Sequence, residues 1–326
     1  MHLEDVNIEG FKSFSEETNM SFQPGIGVII GNNGVGKSNI LDAIAWAMGD
    51  NDLSRIRCYE QNELFFAGSK DYPPASNIRV ELNLKEDHQN DTDGVRLARE
   101  MNKEGHNLYY IQGKPCEWSA YKRNLDRYHL GHALKTIIRQ EQINDLLRLD
   151  PLERIPSIGE LLDKREDHEI IVYLKQEVDP IFKRYMSYLM PAAEVALITP
   201  PFDGKLGLDV EVTLKGNRVR RAHQLSGGEK AVTSLALKLA LFSGLESPFY
   251  LLDEVEPSLD YTNHKSMQAF LKDVASDKQL IMITHLRSTM ELANTLHGVR
   301  TRWDGSSFMK FYFVMEERLL RLYKCC

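Results

Sequence analysis

The sequence predicts an α/β fold with a mixed or parallel core sheet, a flanking antiparallel β patch and a helical subdomain. Three observations predict it. Residues 27–50, "GVIIGNNGVGKSNILDAIAWAMGD", read as apolar strand, glycine loop and helix. "PFYLLDE" (248–254) and "KQLIMITH" (278–285) are short apolar runs of the kind shown by strands covered on both faces. "NIRVELNL" (77–84) alternates as a half-buried strand does.

The 326 residues have room for one large α/β domain or two small ones. "MHLEDVNIEGFKSF" begins the chain as an amphipathic segment without the apolar core of a signal peptide. The strand at 27–30 leads through the glycine loop into a helix with Ile40, Leu41, Ile44 and Met48 at helical spacing. "KEDHQNDTDG" (85–94) is polar enough for an exposed hairpin tip or loop. "NLYYIQGKPCEWSAYKRNL" (107–125) predicts a strand, a tight turn at Gly113-Lys114 and a further element. Residues 160–190 carry an apolar helical stripe at 174, 178, 181, 182, 185 and 189, which Pro180 is expected to interrupt. "GLDVEVTLKGNRVRR" (207–221) alternates as a hairpin with Gly216-Asn217 at its turn, and "LSGGEKAVTSLALKLALF" (225–242) is a glycine turn followed by an apolar helix. There is no internal repeat and no low-complexity tract.

Composition narrows the function classes. A formal charge of −7 and a pI near 5.8 exclude a protein coated in positive charge, so a nucleic-acid surface has to be a local patch. Cys58, Cys116, Cys325 and Cys326 lack the paired spacing of a zinc site and suit a reducing compartment. No stretch is long enough to span a bilayer, so the expectation is a soluble, intracellular chain without a membrane partner.

The chemistry lies in three stretches. Gly31, Gly36, Lys37 and Ser38 meet the GxxxxGKS pattern, with Asn32, Asn33 and Gly34 inside the loop and Asn39 after it. Such glycines let backbone N–H groups face phosphate oxygens at a helix N-terminus. Lys37 would reach the β and γ phosphates of ATP, and Ser38 would ligate Mg²⁺. The alternative is a glycine turn with a surface lysine. In "FYLLDE", Asp253 would hold Mg²⁺ through water and Glu254 would polarise an attacking water; the alternative is two carboxylates that merely solubilise a strand end. "LSGGE" (225–229) supplies Ser226 and Gly228 at a second helix start, an anion site that one nucleotide bound by the first loop does not need. A dimer resolves this, one copy's second loop covering the γ-phosphate held by the other's first loop. A glycine turn before a helix is the plainer alternative.

The order of phosphate loop (Walker A), LSGGE signature, Walker B acid pair, "SLD" (258–260) and a strand ending in His285 resembles the ATP-binding cassette (ABC) superfamily. More narrowly, "IEGFKSF", "GVGKSNILDAIAWAMGD", "FFAGS", "IIRQEQINDLL", "LSGGEKAVTSLALKLALF" and "LLDEVEPSLD" resemble the ATPase head of SMC (structural maintenance of chromosomes) proteins across nearly the whole chain. The resemblance implies that Gln140 is the Q-loop glutamine that senses Mg²⁺ and water, and that Ser226 contacts the partner's γ-phosphate. His285 becomes the switch histidine, Asp260 orders the dimer seam, and Arg57 is the R-loop arginine. Lys12 joins the nucleotide-binding residues. Glu141 departs from the family's usual glycine, and "EPSLD" from its usual D-loop. Implied partners are a second SMC head, the same or a related chain, a kleisin-type bridging subunit, and DNA without sequence specificity. The implied location is cytoplasmic and nucleoid- or chromosome-associated, nuclear in a eukaryote.

Residues 1–165 then bring Walker A, R-loop and Q-loop, and residues 166–326 bring signature, Walker B, D-loop and switch, together one head. Family members separate these parts by a long coiled-coil arm. About 85 residues lie between Gln140 and Leu225, without sustained heptads, which implies either that the arm is cut out and the halves join near 160–175 or that the chain is a natural armless relative. "KGNRVRR" and the cluster Lys122, Arg123 and Arg127 are the basic patches available to DNA phosphates, or else solvated faces. Rival readings are a transporter nucleotide-binding subunit, a repair ATPase of the zinc-hook or recombination type, and an ATP-gated structural clamp with negligible turnover. The 188 residues from Lys37 to Leu225 exceed the transporter spacing, and "FFAGS" and "GFKSF" favour SMC over the repair type.

Overall fold

Phe249–Asp253 and Gln279–Ile283 are buried at every position and pair as parallel strands. Gln279–Ile283 pairs on its other edge with Ile26–Ile30, which in turn pairs with Thr295–Thr301, both in parallel. Ser307–Val314 closes that side antiparallel, and the short strand Ile137–Ile138 lies at the opposite edge. Continuous apolar runs follow from this arrangement, because a strand covered on both faces has no solvent side to mark with polar residues. The computed structural model describes residues 1–86, 94–202, 204–214, 218–256 and 264–314. Most of the loop expected at 85–94, the turn at Gly216-Asn217 and the "SLD" stretch lie outside the described residues.

The chain divides into two compact units. One comprises Met1–Ile137, Ser247–Glu254 and Ala275–Cys326, and the other Ile138–Glu246 and Val255–Val274. In the first, the phosphate-loop helix Lys37–Ala47 contacts the core strand Phe249–Asp253 and also three strands of a second, antiparallel sheet. That sheet runs in the order Thr18–Ser21, His2–Glu9, Asn77–Lys85, Gly94–Asn102, Asn107–Ile111, Lys114–Cys116. A helix covered from both sides must be apolar nearly all round, which is why Ile40, Leu41, Ala43, Ile44, Ala45 and Trp46 are all buried. Arg99, itself buried, donates to the Trp46 carbonyl at 2.8 Å and stacks 4.3 Å over the Trp46 ring. A cation at that end both satisfies a terminal carbonyl and opposes the helix dipole. Gln279 fastens the first strand to the core sheet, accepting from Leu3 N–H and donating to the Leu3 carbonyl, both at 2.9 Å.

Two local expectations shift. Ile111 pairs with Lys114, so the hairpin turns on Gln112-Gly113, one residue earlier than Gly113-Lys114. Both residues have positive φ, 52° and 73°, the type I′ requirement that glycine meets at no cost and glutamine meets under constraint. Pro180 does not break the 160–190 stripe. Asp167–Tyr173, the π-helical turn Leu174–Val178 and Asp179–Leu189 follow without a gap, and Pro180 sits in the first turn of the last stretch. The π turn, in which Asp179 N–H reaches the Leu174 carbonyl, widens the helix just before Pro180, where the ring and the missing N–H would otherwise break it.

In the second unit, Arg218–Arg221, Asp209–Leu214 and Glu194–Ile198 form a three-stranded antiparallel sheet. Arg154, on the helix Pro151–Leu162, donates to Asp209 Oδ1 at 2.6 Å, with both side chains buried. The apolar helix Gly227–Phe242 packs on Asp179–Leu189.

Candidate functional site

In-register pairing sets the first part of the site. Ile29 lies opposite Ile283, and Ile283 opposite Asp253, so three parallel strands end together. The residues that follow each strand emerge at that one edge: the glycine loop after Ile30, Glu254 after Asp253, and Thr284-His285 after Ile283. The carboxyl edge of such a sheet is where α/β folds take ligands.

The loop has the features of a phosphate cradle. Gly34 and Gly36 have φ of 78° and 92°, and a Cβ on Gly36 would lie 2.5 Å from both Ser13 Oγ and Ser307 Oγ. The amides of Gly34, Gly36, Lys37 and Ser38 have no acceptor among the described residues, as expected of the first turn of a helix and the loop before it. Lys37 is 5% exposed and donates to the carbonyls of Gly31 and Asn32 at 2.9 and 3.0 Å. Its Nζ lies 3.5 Å from Glu254 Oε1 and 3.3 Å from His285 Nε2. His285 Nε2 is in turn 2.7 Å from Glu254 Oε1. One ring nitrogen cannot donate to the carboxylate and accept from the ammonium at once, so the tautomer decides which contact is a hydrogen bond. Glu254 has φ of 50°, a left-handed conformation held against its steric cost. Asp253 beside it is buried.

Donor N–H groups, a buried ammonium and the Ser38 hydroxyl on the first helical turn are the chemistry a triphosphate requires. Among the described residues no group of three or more His, Cys, Asp or Glu could hold a metal ion by itself. A magnesium ion here would draw its ligands from Ser38, Asp253, phosphate oxygens and water, the usual habit of that ion.

Beside the loop, Asn39 Nδ2 donates to Ser13 Oγ at 2.8 Å, and Arg57 reaches Asn39 Oδ1 at 3.4 Å. Lys12 and Arg57 both bind Asp42, at 2.7 and 2.6 Å. Asp42 was not legible as a site residue, because its place in the apolar run "NILDAIAW" marks it only as a helix interior. Asn32 and Asn33 are exposed at the loop tip.

Gln140, Ser226 and Gly228 belong to the second unit. Gln140 is exposed on a single 3₁₀ turn, Gln140–Gln142. Ser226 caps Gly227–Phe242 in a reciprocal box: its Oγ accepts from Glu229 N–H at 3.4 Å, and Glu229 accepts from Ser226 N–H at 2.8 Å. Those bonds hold the Glu229 carboxyl below its ordinary pKa. Cβ atoms on Gly227 and Gly228 would meet nothing within 4 Å, leaving this helix start open to an external group. Lys238 and Ser234, further along the helix, donate to the carbonyls of Gln142 and Ile143 and tie the Gln140 turn to it. Asp260 lies outside the described residues.

Of the basic patches, Lys122, Arg123 and Arg127 are exposed on the helix Trp118–Arg127. Arg220 and Arg221 instead pair with Glu229 and Glu211, at 3.3 and 3.4 Å.

Residues 2–307 match the family described as the RecF/RecN/SMC N terminal domain. The chain belongs to that family. It is a family of ABC-type ATPases, and the fold is that of SMC heads. The "SmcHead bound to the C-winged helix domain of ScpA" superposes with a TM-score of 0.84 at 29% identity, covering 98% of this chain and 100% of that one. The SMC head domain from Thermotoga maritima gives 0.70 at 31% identity, covering 97% and 100%. Chromosome partition protein Smc of Halothermothrix orenii is 34% identical over 156 residues, 46% of this chain and 13% of that protein. The Smc of Halobacteriovorax marinus is 31% identical over 229 residues, 66% of this chain and 18% of that protein. The chain thus spans under a fifth of the length of these curated relatives. Among the described residues no helix is long and apolar enough to cross a membrane.

Proposed function

We propose that the chain is the ATPase head of a chromosome-partition SMC protein, and that ATP joins two heads before its hydrolysis releases them. The observation that carries this is the convergence of Lys37, Glu254 and His285 within 3.5 Å at the edge where the glycine loop begins. Lys37 exchanges its carboxylate contact for the β and γ phosphates of ATP. Glu254, freed from the ammonium, accepts a proton from the attacking water, and His285 orients the carboxylate. Ser38 and Asp253 would hold magnesium, which would supply neutralisation of the phosphate charge. By the family resemblance, Gln140 would be the residue that senses that ion and the attacking water. The open helix start at Ser226 and Gly228 of a second head covers the γ-phosphate, and Asp260 orders the seam between heads.

One similar structure is an SMC head bound to a ScpA winged-helix domain, which supports a kleisin-type partner for this chain. The relatives' role in chromosome partition supports a chromosomal location and DNA as a partner, without sequence specificity. The exposed basic residues of Trp118–Arg127 would meet its phosphates. Light scattering after size exclusion tests the pairing. Glu254→Gln should double in mass with ATP and Mg²⁺, and Ser226→Arg should abolish the doubling. A monomer under both conditions, with ATP bound, would refute pairing between identical heads.

A further inference from the structure

We infer that the exposed edge of Glu194–Ile198 docks a short extended segment of another protein through one backbone pair and one basic side chain, an interaction separate from nucleotide binding. Among the described residues this strand pairs with Asp209–Leu214 alone and is an outer member of the three-stranded sheet of the second unit. In an antiparallel pair, successive residues turn their backbone groups alternately towards the neighbouring strand and away from it. Leu197 N–H turns away, since it donates to Asp179 Oδ1 at 2.9 Å. Val195, two residues earlier, therefore also turns its N–H and carbonyl outwards. Just before the strand, Ala193 N–H donates to the Met190 carbonyl at 2.9 Å. The N–H groups at 193 and 197 are thus satisfied within the unit, while that of Val195 between them has no acceptor among the described residues.

Val195 lines a cavity of about 520 Å³ together with Lys183, Ser187, Glu194, Ala196 and Thr213. An open strand edge is a template for another strand, and folds that make no use of one cover or block it. Here the blocking is confined to the two ends, so the free stretch fits a segment of about three residues. Charge narrows the occupant further. Glu194 lies opposite Thr213, and Ala196 opposite Glu211, all on one face of the sheet. Glu211 is already paired with Arg221 at 3.4 Å, and Lys183 with Asp179 at 2.5 Å. Glu194 is exposed and has no cation partner among the described residues. A residue added opposite Val195 exchanges two hydrogen bonds with it, its neighbour opposite Glu194 brings a Lys or Arg to the carboxylate, and its neighbour opposite Ala196 is apolar. This is recognition by strand addition, with the main chain giving affinity and the alternate side chains giving specificity.

Fluorescence anisotropy of a labelled Gly-Val-Thr-Arg-Gly peptide, mixed with the full chain, tests the inference. With its Thr opposite Val195, antiparallel addition sets its Arg opposite Glu194 and its Val opposite Ala196. The wild type should bind this probe saturably. Glu194→Lys, a change at an exposed position, should weaken binding by about tenfold or more, as expected on losing a hydrogen bond between charged groups. Replacing the Thr N–H of the probe with an ester oxygen leaves the protein untouched and removes the bond to the Val195 carbonyl, and should weaken binding by about fivefold. In hydrogen exchange the bound probe should slow the Val195 amide, whereas Leu197, already bonded to Asp179, should keep its rate. No saturable binding to the wild type, undiminished affinity in Glu194→Lys, equal affinity for the ester probe, or an unslowed Val195 amide overturns the inference.

Discussion

Lowering the pH should loosen the sheet that carries the phosphate loop, through His297. This residue is fully buried on Thr295–Thr301, pairs with Ile29 of the strand that feeds the loop, and packs between Phe22 at 4.6 Å and Tyr312 at 4.9 Å. Burial among these rings depresses its pKa from 6.5 to about 4, against a smaller opposing effect of the Ser21 and Val28 backbone. Between those two values the unfolded chain binds a proton that the folded chain does not. The associated stability is therefore complete above pH 6.5 and is lost as the pH falls towards 4. At about 1.4 kcal/mol per unit, the loss amounts to about 3 kcal/mol. Urea unfolding of the wild type and His297→Phe at pH 7.5 and pH 4 isolates this contribution, since all other titrations are shared. The wild type should lose about 3 kcal/mol more than the variant. Equal losses in both proteins would refute the reasoning.

Gly36→Ala should abolish binding of an ATP analogue and lower the melting temperature, because φ of 92° and contacts of 2.5 Å to Ser13 and Ser307 admit no Cβ. Arg99→Met should destabilise the chain by about 2 kcal/mol in urea melts, since the Trp46 carbonyl and the side chains of Asn51 and Asn107 lose their donor. Glu254→Gly should be more stable than Glu254→Ala by about 1 kcal/mol, because both lose the Lys37 and His285 contacts but only glycine takes φ of 50° without strain, and both should lose phosphate release. Equal stability of the glycine and alanine variants would show that Glu254 is not held against its preferred conformation.

The fold was legible because its centre obeys local rules. Phe249–Asp253 and Gln279–Ile283 are apolar without interruption, and a glycine loop joins strand to helix at 31–36. Asp253, Glu254 and the loop could be named from spacing because each ends or follows a strand, whereas His285 took its role from the family resemblance. Asp42 and Arg99 could not. An acid inside an apolar helix and an arginine within an alternating strand acquire meaning only from partners some 15 to 53 residues away in sequence. The Gln112-Gly113 turn was displaced for a related reason: strand pairing forces Gln112 into positive φ, a choice its own preference does not announce. Pro180 misled in the opposite sense, since a π turn absorbs a disruption that periodicity counts as a break.

The central claim is hydrolysis of ATP at the loop edge by Glu254. Steady-state phosphate release with Mg²⁺, in the wild type and in Glu254→Gln, tests it most directly when binding of an ATP analogue is measured in parallel. Slow, sustained release from the wild type, falling to background in Glu254→Gln with analogue binding retained, is the predicted result. Undiminished release from Glu254→Gln, or none from a wild type that binds the analogue, would contradict it.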